Sequence, residues 1–175
     1  MYRDIEKVAK SMSRSSQTSP TACLALQAGR VSSRVSKIML DSMGLNGANF
    51  CIRMDSKLAG GVLVSAATST LYLKARRRGF DVRAVRYEDL VARPRDMCRV
   101  ILEFCHLPVS LTDLAVRASD VDSQRNSPFA KSVIGQLKEA ELTPQIRAKL
   151  NELLRKFEMP PLGEPNILEG TLTCS

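Results

Sequence analysis

Apolar residues recur three or four positions apart along most of the chain, and polar or glycine-containing breaks separate these stretches. The first stretch, Asp4 to Arg14, is predicted as an amphipathic helix because its apolar residues share one face and its acidic residues precede its basic ones. Gly79 ends the longest stretch, as glycine often does after the last turn of a helix. The further predicted helices are Cys23 to Met43, Asp55 or Ser56 to Arg78, Pro94 to Cys105, a short turn over Leu111 to Arg117, and Pro144 to Phe157 with Thr143 as its cap.

One segment, Asp81 to Tyr87, alternates between apolar and polar residues and predicts a half-buried strand. A lone strand cannot pair its own backbone groups, so either further strands lie outside this chain or the protein is all-α. Met1 to Arg3, directly ahead of the first helix, are interpreted as the end of another strand. The order helix, strand, helix favours an α/β layer structure with a parallel sheet, of which this chain would be a mostly helical C-terminal portion. We expect one unit over residues 1–158 and an extended tail over 159–175.

Composition narrows the possible partners. The chain has 175 residues and a formal net charge of +8, which suits acidic or phosphorylated partners without naming one. Aromatic residues make up 5% and Trp is absent, so a base-stacking platform for nucleic acid is not expected. His106 is the only histidine and the five cysteines lack metal-ligand spacing, so no metal site is expected. No targeting segment is visible, and the apolar stretch Leu58 to Leu73 is too short to span a membrane, so it is interpreted as a buried helix.

Two blocks of the sequence carry a family resemblance. Arg83 to Pro94, continued by Val100 to Pro108, resembles the strand–turn–helix block of sulfotransferases that use 3′-phosphoadenosine 5′-phosphosulfate (PAPS). Arg3 at a predicted strand end, followed eight residues later by Ser11, resembles the 3′-phosphate motif of the same family. The segment Leu142 to Pro165 is also similar to the closing helix and extension of some animal members.

The resemblance implies a P-loop-like three-layer α/β fold and a function. A sulfuryl group would pass from PAPS, the co-substrate, to a hydroxyl of a carbohydrate, a protein tyrosine or a small molecule, without a metal. The resemblance also implies that Arg3 and Ser11 bind the 3′-phosphate and that Tyr87 lies against the adenine. This suits the chemistry, because Arg offers a planar pair of donors to phosphate oxygens and a Ser hydroxyl adds a further hydrogen bond. We expect Asp4 to hold the Arg3 guanidinium in place.

The chain also departs from the family pattern. The family's Gly-rich loop for the 5′-phosphosulfate and its His or Glu base normally precede the position of Arg3, and no Gly-Lys-Ser or Gly-Lys-Thr run occurs here. The catalytic residues are therefore unknown, and we expect the chain alone to be inactive or nearly so. A membrane anchor would have to lie upstream of residue 1, and the resemblance slightly favours the Golgi lumen or membrane over the cytoplasm. A polar loop, Ser119 to Lys131, would either cover the phosphate or be solvated, and its candidate contacts are Arg125, Ser127 and Lys131.

Several chemically active residues have ordinary structural explanations. Glu88 and Asp89 could form an acid–base pair, but their place at a strand end and turn favours structural roles. His106 follows a helix end, and Arg76 to Arg78 lie where the helix dipole favours positive charge without any ligand. The alternative function is a non-catalytic basic helical module for nucleic acid or an acidic protein, although the basic residues are scattered and nucleic acid is not the expected partner. A truncated, non-catalytic relative is a third possibility.

Overall fold

The computed structural model describes residues 1–15, 17, 33–42, 58–119 and 135–174, and this part of the chain is mostly helical. Within these residues the α-helices are α1 (Ile5–Ser15), α2 (Ser33–Ser42), α3 (Ala59–Arg77), α4 (Tyr87–Ala92), α5 (Pro94–Phe104), α6 (Thr112–Ser119) and α7 (Pro144–Lys156). The 3-10 turn Val109–Leu111 joins α5 to α6.

Most of the predicted helices that fall within the described residues are confirmed. Helices α1, α5 and α7 lie within one residue of the predicted bounds, and Gly79 ends α3 with a φ of 83°. The side chain of Thr143 caps α7 by accepting a hydrogen bond from the Ile146 N–H at 3.3 Å. Of the helix predicted over Cys23 to Met43, only the part over α2 is described, and the predicted caps Asp55 and Ser56 lie outside the described residues. Helix α4 was not predicted.

The predicted strand over Asp81 to Tyr87 is not formed, and the described residues contain isolated parallel bridges instead of strands. Tyr2 donates its N–H to the Val85 carbonyl at 2.8 Å and accepts from the Tyr87 N–H at 2.8 Å. On the other side, Ala84 donates to the Gly170 carbonyl at 3.3 Å and accepts from the Leu172 N–H at 2.8 Å. Pairing with the first segment stops after one bridge because α1 and α4 begin directly afterwards and take the chain out of extended geometry.

Helices α1 and α3 pack so closely that only glycine fits at their crossing. A Cβ atom built on Gly61 would lie 2.6 Å from the Cα of Ala9, well inside van der Waals contact. The surrounding part of α3 is buried, as predicted for the apolar stretch Leu58 to Leu73. Helix α7 packs on the same helix, and the core that they share includes Ile5, Ala9, Leu40, Leu58, Val62, Leu63, Ala66, Ala67, Leu150, Leu153, Leu154 and Phe157.

Residues 159–174 extend this core. Met159, Leu162 and Leu168 are buried in it. The Leu162 N–H donates to the Asn151 side chain on α7 at 2.9 Å, and the Tyr72 hydroxyl on α3 donates to the Glu169 carbonyl at 2.7 Å. The segment after α7 therefore packs against two helices.

One ion-pair cluster ties α1 to α7. The Glu6 carboxylate lies 3.0 Å from Lys10 one turn away and 3.0 Å from Arg147 on α7. Arg147 also donates to the Leu162 carbonyl at 2.9 Å. Burial by itself would raise the pKa of Glu6, but hydrogen bonds and charge attraction from Lys10 and Arg147 outweigh it and hold this pKa below its ordinary value of 4.5.

Candidate functional site

Arg3 and Tyr87, predicted to lie in one nucleotide site, are in contact. The bridge between Tyr2 and Arg86 places the next residue of each segment side by side. The guanidinium carbon of Arg3 lies 4.8 Å from the centroid of the Tyr87 ring, within the range of a cation–π interaction. Both residues lie at the carboxyl end of their paired segments, just before α1 and at the start of α4.

Glu88 is the carboxylate around which this cluster is built. Its Oε1 accepts the Asp4 N–H at 3.2 Å and lies 3.7 Å from Lys7 and 4.0 Å from the Nε of Arg3. Its Oε2 lies 3.8 Å from the Nε of Arg86. The Glu88 side chain is 18% exposed, so these contacts operate under partial desolvation and join the start of α1 to the first turn of α4. The contacts favour a structural role for Glu88.

Asp4 does not take the role predicted for it. Its Oδ1 accepts the Lys7 N–H at 3.0 Å, which is the contact of an N-cap residue with the third residue of the helix. Within the described ranges Arg3 forms an ion pair with Glu88 and none with Asp4. The carboxylate that pairs with Arg3 is therefore that of Glu88 in the second sequence block. It does not come from the residues next to Arg3 in the sequence.

Ser11 lies further along α1 than the Arg3–Tyr87 contact. It follows Lys7 by four residues, so the two share one face of the helix. The rise of about 1.5 Å per residue places Ser11 roughly 9 Å from the first residue of α1. Ser11 is half-buried, and Lys7, on the turn between it and Arg3, is exposed. Lys7 was not among the site residues predicted from the sequence. Its spacing of four residues from both Arg3 and Ser11 could have identified it.

Polar atoms in this cluster retain hydrogen-bonding capacity. The Nε of Arg3 and the Oε2 of Glu88 are buried and have no hydrogen-bond partner among the described residues. The Arg3 side chain as a whole is 40% exposed, so part of it faces solvent. Because Nε itself is buried, an oxyanion from solvent would have to receive its hydrogen bonds from the other nitrogens of the guanidinium.

The candidate contacts Arg125, Ser127 and Lys131 lie outside the described residues. The chain that follows this predicted loop contacts the C-terminal end of α1. Gln17 donates to the Lys138 carbonyl at 2.9 Å, and Arg14 pairs with Glu139 at 3.1 Å. The segment that follows the predicted loop is thus anchored to the helix that carries Ser11.

The described part of the chain offers few other candidates for catalytic or metal-binding residues. His106 is exposed just after α5 with a φ of 55°, which makes it a helix-end residue as predicted. The described residues contain no group of three or more His, Cys, Asp or Glu side chains that could hold a metal ion. None of the described helices is long and apolar enough to cross a membrane.

Comparisons of the chain with family models, curated proteins and solved structures gave no match.

Proposed function

We propose that the chain contributes the 3′-phosphate and adenine side of the nucleotide site in a PAPS-dependent sulfotransferase. The observation that carries the proposal is the contact between Arg3 and Tyr87, which come from two sequence blocks 84 residues apart. Both blocks resemble cofactor-binding motifs of that family. We further propose that the two parallel bridges belong to the parallel sheet of a P-loop-like α/β fold, where nucleotides bind at the carboxyl ends of the strands.

Each proposed ligand residue suits a part of the nucleotide. Arg3 has a buried Nε but a side chain that is 40% exposed, and the exposed part of its guanidinium would bind 3′-phosphate oxygens. Ser11 would add a hydroxyl from two turns along α1. Arg3 covers one face of the Tyr87 ring, so an adenine would lie against the opposite face or the ring edge.

The reaction that we propose for the whole protein transfers the sulfuryl group of PAPS to a hydroxyl of a carbohydrate, a protein tyrosine or a small molecule. The acceptor oxygen bonds to sulfur, the bond between sulfur and the phosphate oxygen breaks, and the acceptor proton passes to a base. Because the sequence contains no Gly-Lys-Ser or Gly-Lys-Thr run for the 5′-phosphosulfate, we expect this chain to bind nucleotide without measurable transfer.

The test is calorimetry of adenosine 3′,5′-bisphosphate with the full chain and three variants. Arg3→Ala removes a charge-assisted hydrogen bond worth about 1.5–3 kcal/mol, so affinity should fall roughly 10- to 150-fold. Tyr87→Leu should also weaken binding, because it removes the ring that supports both Arg3 and the adenine. The control is Arg95→Ala, which alters an exposed arginine that pairs with Asp113 at 2.6 Å, and it should bind like the parent.

A second nucleotide distinguishes recognition of the 3′-phosphate from nonspecific nucleotide binding. Adenosine 5′-monophosphate lacks the 3′-phosphate, so the parent should bind it about as weakly as Arg3→Ala binds the bisphosphate. Circular dichroism must show that every variant is folded. Unchanged affinity in folded Arg3→Ala, or no binding by the folded parent chain, would contradict the proposed site.

A further inference from the structure

Arg3 and Lys7 converge on a single oxygen atom. The Oε1 of Glu88 lies 4.0 Å from the Nε of Arg3 and 3.7 Å from the Nζ of Lys7. Because both nitrogens lie within 4.0 Å of this oxygen, they are at most about 8 Å apart, and two charge-assisted contacts of about 2.7–2.9 Å leave room for one phosphate between side chains at such a distance. The two cations thus form a pair in space as well as in sequence.

Helix geometry agrees with this pairing. In an α-helix each Cα–Cβ bond is tilted towards the N-terminus, so the side chain of Lys7, in the first turn of α1, leans back towards Arg3. The contact with Glu88 lies in the same direction, because the oxygen that Lys7 approaches also accepts the Asp4 N–H at 3.2 Å, directly before α1 begins. The pair therefore lies at the start of α1.

Both cations keep hydrogen-bond donors available to a ligand. Their distances to Glu88 are longer than a hydrogen bond, and within the described ranges neither side chain donates a hydrogen bond to another residue. The side chain of Lys7 is 57% exposed and that of Arg3 is 40% exposed. An ammonium has three N–H donors and a guanidinium has five, of which only the Nε donor of Arg3 is buried. An anion from solvent can therefore bind both groups without breaking a hydrogen bond of theirs.

The acidic groups nearby lie beneath the pair or have other partners. The Glu88 side chain is only 18% exposed, so it supports the two cations from the less exposed side. Asp4 accepts the Lys7 N–H at 3.0 Å and caps α1, and Asp89 lies 3.8 Å from Arg86. The backbone at the start of α1 is thus already capped, and the groups left for an anion are the two side chains.

We propose that Arg3 and Lys7 together bind one terminal phosphate group and that Glu88 positions both of them. A terminal phosphate has three acceptor oxygens, so a guanidinium and an ammonium can each bond to a different oxygen. The assignment of this group to the 3′-phosphate of the nucleotide rests on the proposed function. Lys7 then supplies a second cation on the turn of α1 between Arg3 and Ser11, whereas an ordinary exposed ion pair with Glu88 would have no effect on a ligand.

Calorimetry of the full chain with adenosine 3′,5′-bisphosphate tests the contribution of Lys7. Lys7→Gln removes a charge-assisted hydrogen bond at an exposed position, so the affinity should fall roughly 10-fold, and Lys7→Arg should keep most of it. The matched control is Lys10→Gln on the same helix, which should bind like the parent because Lys10 pairs with Glu6 at 3.0 Å. Adenosine 5′-monophosphate lacks the 3′-phosphate, so Lys7→Gln should bind it as the parent does.

The outcomes separate this inference from the proposed function. If Arg3→Ala lost affinity for the bisphosphate while folded Lys7→Gln kept it, the pair would be wrong and the proposed function would stand. Equal losses of Lys7→Gln for the bisphosphate and the 5′-monophosphate would also overturn the pair, because they would show an effect on the fold rather than on the 3′-phosphate.

A second measurement tests the pair without a nucleotide. At constant ionic strength, inorganic phosphate should slow the chemical acetylation of Lys7 but not that of Lys10, as followed by mass spectrometry, and Arg3→Ala should abolish this protection. Protection by inorganic phosphate in a chain that does not bind the bisphosphate would support the pair and contradict the proposed nucleotide site. If neither inorganic phosphate nor the bisphosphate protected Lys7, the pair would be overturned.

Discussion

The crossing of α1 and α3 makes a strong prediction about stability. In Gly61→Ala the new methyl group would lie 2.6 Å from the Ala9 Cα, 3.3 Å from its nitrogen and 3.4 Å from its Cβ. The nearest of these atoms is backbone, so no rotamer change can relieve the overlap. Helix α1 would have to move away from α3 by about 1 Å or slightly more to restore ordinary contact distances, which are about 3.5–4 Å between carbon atoms.

The magnitude follows from two opposing effects. Alanine improves intrinsic helix propensity over glycine by about 1 kcal/mol. Overpacking a close-packed core costs about 1–3 kcal/mol, and a backbone contact belongs in the upper half of that range. We therefore expect Gly61→Ala to lower the free energy of unfolding by about 1–2 kcal/mol, or the melting temperature by roughly 2–8 °C for a chain of this size.

Urea unfolding followed by circular dichroism at 222 nm measures this difference. The control is Thr68→Ala, which raises helix propensity at an exposed position of α3 and should change stability by less than about 0.5 kcal/mol. Adding Ala9→Gly to Gly61→Ala should not restore stability, because the overlap is with the Cα that glycine retains. If Gly61→Ala were as stable as the parent or more stable, the inferred helix contact would be wrong.

Substitutions at four further positions test other parts of the fold. Gly170 and Gly79 both have positive φ, at 74° and 83°, so alanine at either position should lower the free energy of unfolding by about 1–2 kcal/mol. Gly170→Ala should cost roughly 1 kcal/mol more, because its Cβ would displace the Arg76 guanidinium. Equal losses in thermal melts would refute the contact between Arg76 and Gly170. Thr143→Ala should cost about 1 kcal/mol through loss of the cap on α7, and Thr143→Ser should restore it in the same melts. Because the pKa of Glu6 is lowered on folding, its ionised form stabilises the protein above pH 4.5 and this contribution is lost as the pH falls through the folded-state value. Glu6→Gln should therefore be less stable than the parent at neutral pH, with a difference that shrinks below pH 4.5; a difference independent of pH would refute the charge argument.

The helices were predictable where local signals agree. Helices α1, α5 and α7 combine a regular apolar spacing with a cap, a first-turn Pro or a favourable charge order, and the structure places them close to the predicted bounds. Helix α4 has six residues and buries none of them, so it carries no periodic signal. Its first N–H donates to the Tyr2 carbonyl, a contact that only the folded chain provides. The length of the paired segments likewise depends on where α1 and α4 begin.

The candidate site was predictable in part for the same reason. The family resemblance of two motifs implies that Arg3 and Tyr87 lie together, and the structure places the guanidinium over the ring. The choice of Asp4 as the anchor for Arg3 relied on sequence neighbourhood, whereas the contact comes from Glu88, 85 residues further along. Lys7 joins the cluster only because the first turn of α1 docks against the first turn of α4. Long-range ion pairs of this kind leave no local pattern.

The extended segment between α3 and α4 uses different backbone groups for its two neighbours. The contacts with the C-terminal segment use both backbone groups of Ala84, while Tyr2 uses the carbonyl of Val85 and the N–H of Tyr87. Loosening the C-terminal segment therefore removes the hydrogen bonds at Ala84 and the contact between the Tyr2 hydroxyl and Thr171 Oγ1 at 3.1 Å, and leaves the backbone bonds of Tyr2 with Val85 and Tyr87. A shift of α1, in contrast, moves Tyr2 and Arg3 together. By this geometry the proposed nucleotide site depends on the packing of α1 against α3, and the contact between Tyr2 and Thr171 also links it to the C-terminal segment.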